Sequence, residues 1–311
     1  MNDLAYRKIL ELASQPDVLE RSVEYIQQAF SRFLLPGERV LICFAEDECN
    51  VCRVFEEAVR RCGGVPMVLG KDRRWMTILK TAFTYKCNAI IAPPLLLLGL
   101  SKLARHMGTP LYTRNVVFAG YPSTEWMVAG IQRELDCQVW GCYDPGAGAF
   151  AAGFSCDKAC GIHLRWDECG VDIVDAKGNV LPENTVGHVI LYPRSNPQIR
   201  FDTADRGMIC TETCQCGSSL PRLKAIDIGK ESESDVSKLA DKLQRWTSIL
   251  DCRLEDCGYG MELEMVVFPG EKLPKLPSFS KMSIRPWNPE VDEPFDHSFA
   301  LKKRLFHEDN H

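Results

Sequence analysis

The sequence lacks any run of 18 apolar residues, the length a helix needs to cross a bilayer. Its longest apolar stretch, Ala89 to Leu100, is interrupted by Pro93 and Pro94 and closely followed by Lys102. The first residues, MNDLAYRKIL, mix both charges and contain no apolar core, so no signal peptide is expected. Positive charge is not in excess either. With 37 Lys and Arg against 42 Asp and Glu the net charge is −5, which argues against nucleic-acid binding as the main function. No internal repeat is visible. These absences lead us to expect a cytoplasmic protein with no membrane and no nucleic-acid partner.

Cysteine, by contrast, is abundant, at 15 of 311 residues. Without a secretory signal these read as reduced thiols or metal ligands rather than a disulfide framework, and an odd count fits full pairing poorly. Most are expected to be small buried hydrophobes. Cys49 and Cys52 form a CxxC at a helix start, where the helix dipole stabilises a thiolate. The aromatic-Cys-Gly-Pro-Cys surroundings of a thioredoxin-type site are missing.

Periodicity predicts an α/β fold. Residues 1–35 read as an N-terminal helical segment in two pieces, the second beginning at Pro16. From Val40, short apolar strands alternate with helices: strands at Val40–Ala45, Val65–Leu69, Asn88–Ala92, Asn115–Gly120 and Cys137–Tyr143, helices at Asn50–Cys62, Arg74–Tyr85, Leu95–Met107 and Thr124–Asp136, the last capped by Ser123. That alternation implies a doubly wound, mostly parallel sheet whose ligands sit at the carboxyl ends of strands. From about Phe150 the pattern becomes period two, giving an antiparallel β subdomain with a turn at Asp175–Asn179. We read 36–228 as one core and 229–311 as a small divergent α+β C-terminal domain. That domain is expected to hold a helix Val236–Leu250, a strand Gly260–Phe268 and a Pro-rich tail.

The stretch from Phe154 to Arg222 carries the chemistry. Cys156 and His163 flank a turn marked by Gly161, and Cys214 and Cys216 follow about fifty residues later in a CxCG run. Thiolate and imidazole are the ligands of structural zinc. Four protein ligands leave no open position for water, so such a site is structural rather than catalytic. Cys160 and Cys210 are alternative ligands on spacing alone, and unliganded thiols are the bland reading.

Between these groups lies Arg200-Phe201-Asp202-Thr203-Ala204-Asp205. The order FSCDKACGIH, GNVLPENTVGHVILYP, QIRFDTAD, CTETCQCGSSLPR resembles the phenylacetate–CoA ligase family, a branch of the adenylate-forming, AMP-binding enzymes. The resemblance is carried by residues 110–230, weakly by 36–110 and hardly at all by the last eighty. It implies the Cys156, His163, Cys214, Cys216 zinc set. It also implies ATP-dependent activation of a carboxylic acid to an acyl-adenylate, followed by transfer to coenzyme A. Asp205 then matches the ribose-binding aspartate. Gly120, Tyr121 and Pro122, with Trp126, occupy the adenine and acyl-pocket segment. Tyr143 matches the tyrosine that stacks on adenine, with Asp144 beside it. Lys302, in Ala300–Leu305, stands where the family carries its catalytic lysine.

The chain departs from the family pattern in several places. No SSGTTGxP-type phosphate loop occurs in these 311 residues, and Ala147 occupies the position of the magnesium-placing glutamate. The expected function is therefore a ligase-like protein with a nucleotide or acyl-CoA cleft, a structural zinc and weak or lost adenylation. Its small-molecule partners are a carboxylic acid or acyl-CoA and a nucleotide. The alternative is an active acid–thiol ligase using ATP with magnesium, in which Lys71, Arg73 and Arg74 replace the missing phosphate contacts. A third reading is an interaction module that uses only the fold. Family resemblance implies a homodimer, and a partner subunit is the other expectation.

Overall fold

A computed structural model describes residues 8, 11–12, 14–44, 49–120, 125–144, 151–158, 160–228, 239, 242–256, 260–273 and 275–295. Helix α1 (Pro16–Phe30) opens with proline at its first turn, where the missing N–H costs nothing, and buries Val18, Val23, Ile26 and Phe30. Five parallel strands come next: β1 (Arg39–Ile42), β2 (Val65–Val68), β3 (Ala89–Ala92), β4 (Asn115–Phe118) and β5 (Gln138–Tyr143). They lie in the order β2-β1-β3-β4-β5, linked by α2 (Cys49–Arg61), α3 (Trp75–Thr84), α4 (Pro94–His106) and α5 (Glu125–Leu135).

Strand alternation sorts the core into two faces. Val40, Ile42, Ala89, Ile91 and Val117 point to the cluster containing α1 and α2. Their neighbours Leu41, Ile90, Val116 and Phe118 point to the cluster containing α3, α4 and α5. This is the doubly wound arrangement that the near-continuous apolar strands require, since both faces must be covered.

The antiparallel half is not a separate sheet. β6 (Gly153–Ser155) pairs with β5, β7 (Ile162–Leu164) with β6, and β11 (Arg222–Ile228) with β7. β10 (Phe201–Cys210), β9 (Gly187–Pro193) and β8 (Cys169–Val174) complete one 11-stranded sheet. Tyr143 on β5 reaches Asp205 on β10 across three intervening strands, so this half curls back over the end of β5.

The C-terminal region departs from expectation. Residues 242–245 are helical, but the helix does not run to Leu250, because β12 (Ile249–Asp256) starts there. Its Ile249, Leu250, Cys252 and Leu254 are buried, and pairing with β13 (Met261–Val267) outweighs the helical spacing. The Pro-rich tail contains a further strand, β14 (Lys281–Pro286), parallel to β13 and at the sheet edge, where Pro286 is tolerated. This three-stranded sheet packs on the α3–α4 side, with Leu250, Val266, Phe268 and Trp287 in the same cluster as those helices. The ring of His106 stacks on Phe268 at 4.1 Å. No described helix is long and apolar enough to cross a membrane.

Lys102 fixes α4 to this sheet. Its buried ammonium donates to the carbonyls of Gln244 (2.6 Å) and Ile249 (2.9 Å). Burial lowers its pKa from 10.5 to about 8, while Cys252 and Asp251 pull upward. The folded-state value lies below the unfolded one, so the unfolded chain holds more protons between these values. The penalty of this charge therefore fades as pH rises through that window. The stability of wild type relative to Lys102→Met should rise by about 1–2 kcal/mol between about pH 7.5 and about pH 9.5, measured by urea unfolding. A flat or falling difference contradicts this.

Candidate functional site

Four metal-binding side chains converge where β6, β7 and the β10–β11 loop meet. Cys156 follows β6, His163 lies on β7, and Cys214 and Cys216 lie on the loop before β11. Their ligand atoms all lie within 4.8 Å of one another. The sulfurs of Cys156 and Cys214 stand 3.7 Å apart, and Cys216 Sγ lies 3.6 Å from His163 Nε2. A tetrahedron with Zn–S of about 2.3 Å and Zn–N of about 2.0–2.1 Å has edges of about 3.8 Å and about 3.6 Å. A disulfide would bring two sulfurs to about 2.0 Å. The donor set and separations fit a four-coordinate metal. The other two sequence candidates stay out of the cluster. Cys160 Sγ bonds the carbonyl of Lys158, and Cys210 Sγ receives Arg222 Nη2 at 3.6 Å.

Local sequence explains the convergence. Gly161 has φ +104°, and a Cβ there would stand 2.8 Å from the carbonyl oxygen of Leu223, so only glycine lets this loop close on β11. The CxCG turn is closed by Gly217 N–H to Cys214 O (2.8 Å) and Cys214 N–H to Ser218 O (2.9 Å), with Gly217 at φ +87°. Burial, then the charges of Arg222 and Arg32, lowers the His163 pKa and favours the neutral imidazole a metal needs. Burial is the chief cause raising Cys156 to about 11. Burial also acts upward on Cys214, but hydrogen bonds from Cys216 and Cys156 and the charge of Arg222 outweigh it, and the net shift is downward.

The residues of the nucleotide reading lie around the middle of β10 and past the ends of β4 and β5. Tyr143 ends β5, and its hydroxyl donates to Asp205 Oδ2 at 2.7 Å. Thr203 Oγ1 donates to the carbonyl of Val189 (3.0 Å) and accepts from Asp205 N–H (3.1 Å). Tyr143 is 3% exposed and Asp205 2%. Burial, then the Asp205 charge, raises the Tyr143 pKa well above its ordinary value, so the phenol remains a donor. Asp144, also buried, follows Tyr143, and Gly120, at φ +94°, lies past the end of β4. Trp126 packs on the α3–α5 cluster beneath the guanidinium of Arg245, 4.9 Å away. Tyr121, Pro122, Ala147 and Lys302 lie outside the described residues.

Of the basic cluster after β2, Arg74 is committed elsewhere: it pairs with Asp72 at 2.5 Å and donates to the carbonyl of Glu290 at 3.0 Å. Arg73 is half-buried, and its Nε has no hydrogen-bond partner among the described residues. Sequence reading did not single out Arg222 or Lys102. Arg222 stands opposite His163 in the β7–β11 register, a pairing of strands far apart in the chain that no local pattern signals.

No family model matches the chain, and no curated protein matches it. Solved structures do. 2-Hydroxyisobutyryl-CoA ligase in its postadenylation state with 2-HIB-AMP is 15% identical, with a TM-score of 0.62 over 79% of this chain and 58% of its own. In its thioesterification state with 2-HIB-AMP and CoA it aligns over 92% of this chain and 71% of its own, with a TM-score of 0.59 at 15% identity. The amide bond synthetase McbA from Marinactinospora thermotolerans is 16% identical, with a TM-score of 0.53 over 85% of this chain and 61% of its own. The chain has the fold of adenylate-forming ligases, and it spans about three-fifths of the length of most of these enzymes.

The buried phenol–carboxylate bond gives a direct test. Tyr143→Phe leaves Asp205 Oδ2 without this donor and should cost about 1–3 kcal/mol in chemical denaturation, with metal content unchanged. Unaltered stability contradicts the bond.

Proposed function

We propose that this chain is a phenylacetate–CoA ligase-like protein with a nucleotide or acyl-CoA cleft, a structural zinc and weak or lost adenylation. The observation that carries the reading is the 2.7 Å bond from Tyr143 to Asp205, which occupies the carboxylate assigned to the ribose. A nucleoside entering there competes with a buried, already satisfied pair. The phosphates fare worse. These 311 residues contain no phosphate loop, Ala147 stands in the glutamate position, and Arg74 is spent on Asp72. Around Gly120 the neighbours are the aromatic and apolar side chains of Phe44 and Pro93, surroundings that suit an aromatic acid better than a triphosphate.

Cys156, His163, Cys214 and Cys216 hold the zinc. With four protein ligands it supplies folding energy and no reactive water.

Arg73 favours the second reading, an active ATP-dependent acid–thiol ligase. It is a half-buried arginine on the loop after β2, at the carboxyl edge of the parallel strands, with Nε unpartnered among the described residues. In that reading Lys302 is the catalytic residue, and the AMP and CoA ligands of the neighbouring enzymes apply here as well.

Thermal shift separates the two. A ligand that binds the native state raises the melting temperature by mass action. AMP, coenzyme A or phenylacetyl-CoA should raise it, and ATP with magnesium should not. A shift with ATP and magnesium, followed by AMP release, would revive the ligase. No shift with any of them would leave the fold as a scaffold. Separately, Cys214→Ser with Cys216→Ser should release the metal and lower the melting temperature. Full metal content in that variant would remove the zinc assignment.

A further inference from the structure

Arg222 is a buried cation whose hydrogen bonds, among the described residues, reach no carboxylate. It is 3% exposed, and its guanidinium donates to the carbonyls of Cys160 (Nη1, 3.1 Å) and Glu212 (Nη2, 2.8 Å) and to the sulfur of Cys210 (Nη2, 3.6 Å). Among the described residues none of these bonds goes to a carboxylate. A buried charge is retained when it is paired, because removing an ion from water costs several kcal/mol. Carbonyl dipoles accept from the two Nη groups but do not cancel the charge, and Nε has no hydrogen-bond partner among the described residues.

Two sources of negative charge lie close by: the Glu212 carboxylate, whose Oε2 is 3.9 Å from the Cys210 sulfur that Arg222 also touches, and the sulfur cluster, where the Arg222 charge acts on Cys214. Arg222 stands opposite His163 in the β7–β11 register. The two carbonyls it holds belong to the two loops that carry the cysteines: Cys160 lies between Cys156 and His163, and Glu212 two residues before Cys214. Three thiolates and one neutral imidazole around a divalent ion leave one net negative charge. A second cation, Arg32, lies nearby but is exposed. It sits over the rings of Trp140 and Phe154, so solvent meets its charge.

We propose that Arg222 is the counter-ion of the metal-loaded Cys₃His cluster and the residue that positions both of its loops. The inference rests on the zinc reading above. Charge and geometry act together here. The fork fixes the loop carbonyls, and the cation offsets the negative charge that the metal–thiolate unit brings into a buried place. Without metal, three neutral thiols leave Arg222 uncompensated, so metal binding and burial of this arginine favour one another.

The test uses the full chain, loaded with zinc and titrated with a chromogenic chelator. Residues that support metal ligands typically change affinity by about 10–100-fold when replaced. Arg222→Gln should lose affinity in that range while keeping one metal per chain, and its cobalt-substituted form should keep the thiolate charge-transfer bands of wild type. The stabilisation that metal confers should shrink in the variant, whereas a merely structural arginine would lower the melting of metal-free and metal-loaded protein alike. Arg222→Lys retains the charge and should bind close to wild type. Wild-type affinity in Arg222→Gln overturns the assignment. A loss of about 10-fold or more in Arg222→Lys overturns the counter-ion role, and this comparison with wild type decides the matter if the glutamine variant does not fold. Wild-type protein that binds no zinc overturns the metal reading itself and this inference with it.

Discussion

The narrowest part of this fold is the pair β6 and β7, three residues each, through which the parallel and antiparallel halves become one sheet. Two strands that short make few ladder bonds, and an edge there would fray. The four-residue sulfur and imidazole cluster lies at this junction. It brings together side chains from the end of β6, the middle of β7 and the loop before β11. α1 braces the same place, with Tyr25 donating to the carbonyl of His163 and Arg165 to Ser22. The constraint on which the rest depends is therefore local. If the junction holds, β11 and β10 have a fixed edge to pair with.

That edge sets the position of Asp205. β10 carries Asp205 at its middle and leads at its C-terminal end into the loop of Cys214 and Cys216. Register shifts on both sides of β10, between Asp202 and Arg206 and between Arg206 and Met208, bend it around this point. Such bulges re-aim side chains, and here Asp205 meets Tyr143. A site built for open access would leave the carboxylate toward solvent. This one buries it against a phenol.

Much of this was legible in the sequence. Alternation of apolar strands with helices between Val40 and Tyr143 fixes a doubly wound sheet, because period and strand length are local properties. The cluster was legible through a Cys–His pair at a glycine-marked turn and a CxCG run, but on spacing alone Cys160 and Cys210 were alternatives, and the family resemblance singled out the four. The continuity of the two halves was not, since it rests on β5–β6 pairing. Of the C-terminal strands, the one expected at Gly260–Phe268 is β13, whereas β12 was not foreseen because Ile249–Asp256 could serve either a helix or a strand, and tertiary pairing with β13 decided it. Lys102 and Arg222 were passed over because their partners are backbone carbonyls on distant segments, which no residue pattern records. Arg74 shows the reverse: its place in a basic cluster invites a phosphate, but Asp72 two residues earlier claims it.

X-ray absorption at the zinc edge, on protein purified without chelators, tests the central claim most directly. The account predicts one zinc per chain with a first shell of three sulfurs and one nitrogen. Absence of zinc, or a shell dominated by oxygen and nitrogen, would contradict it, and the junction would then have to be held by packing alone.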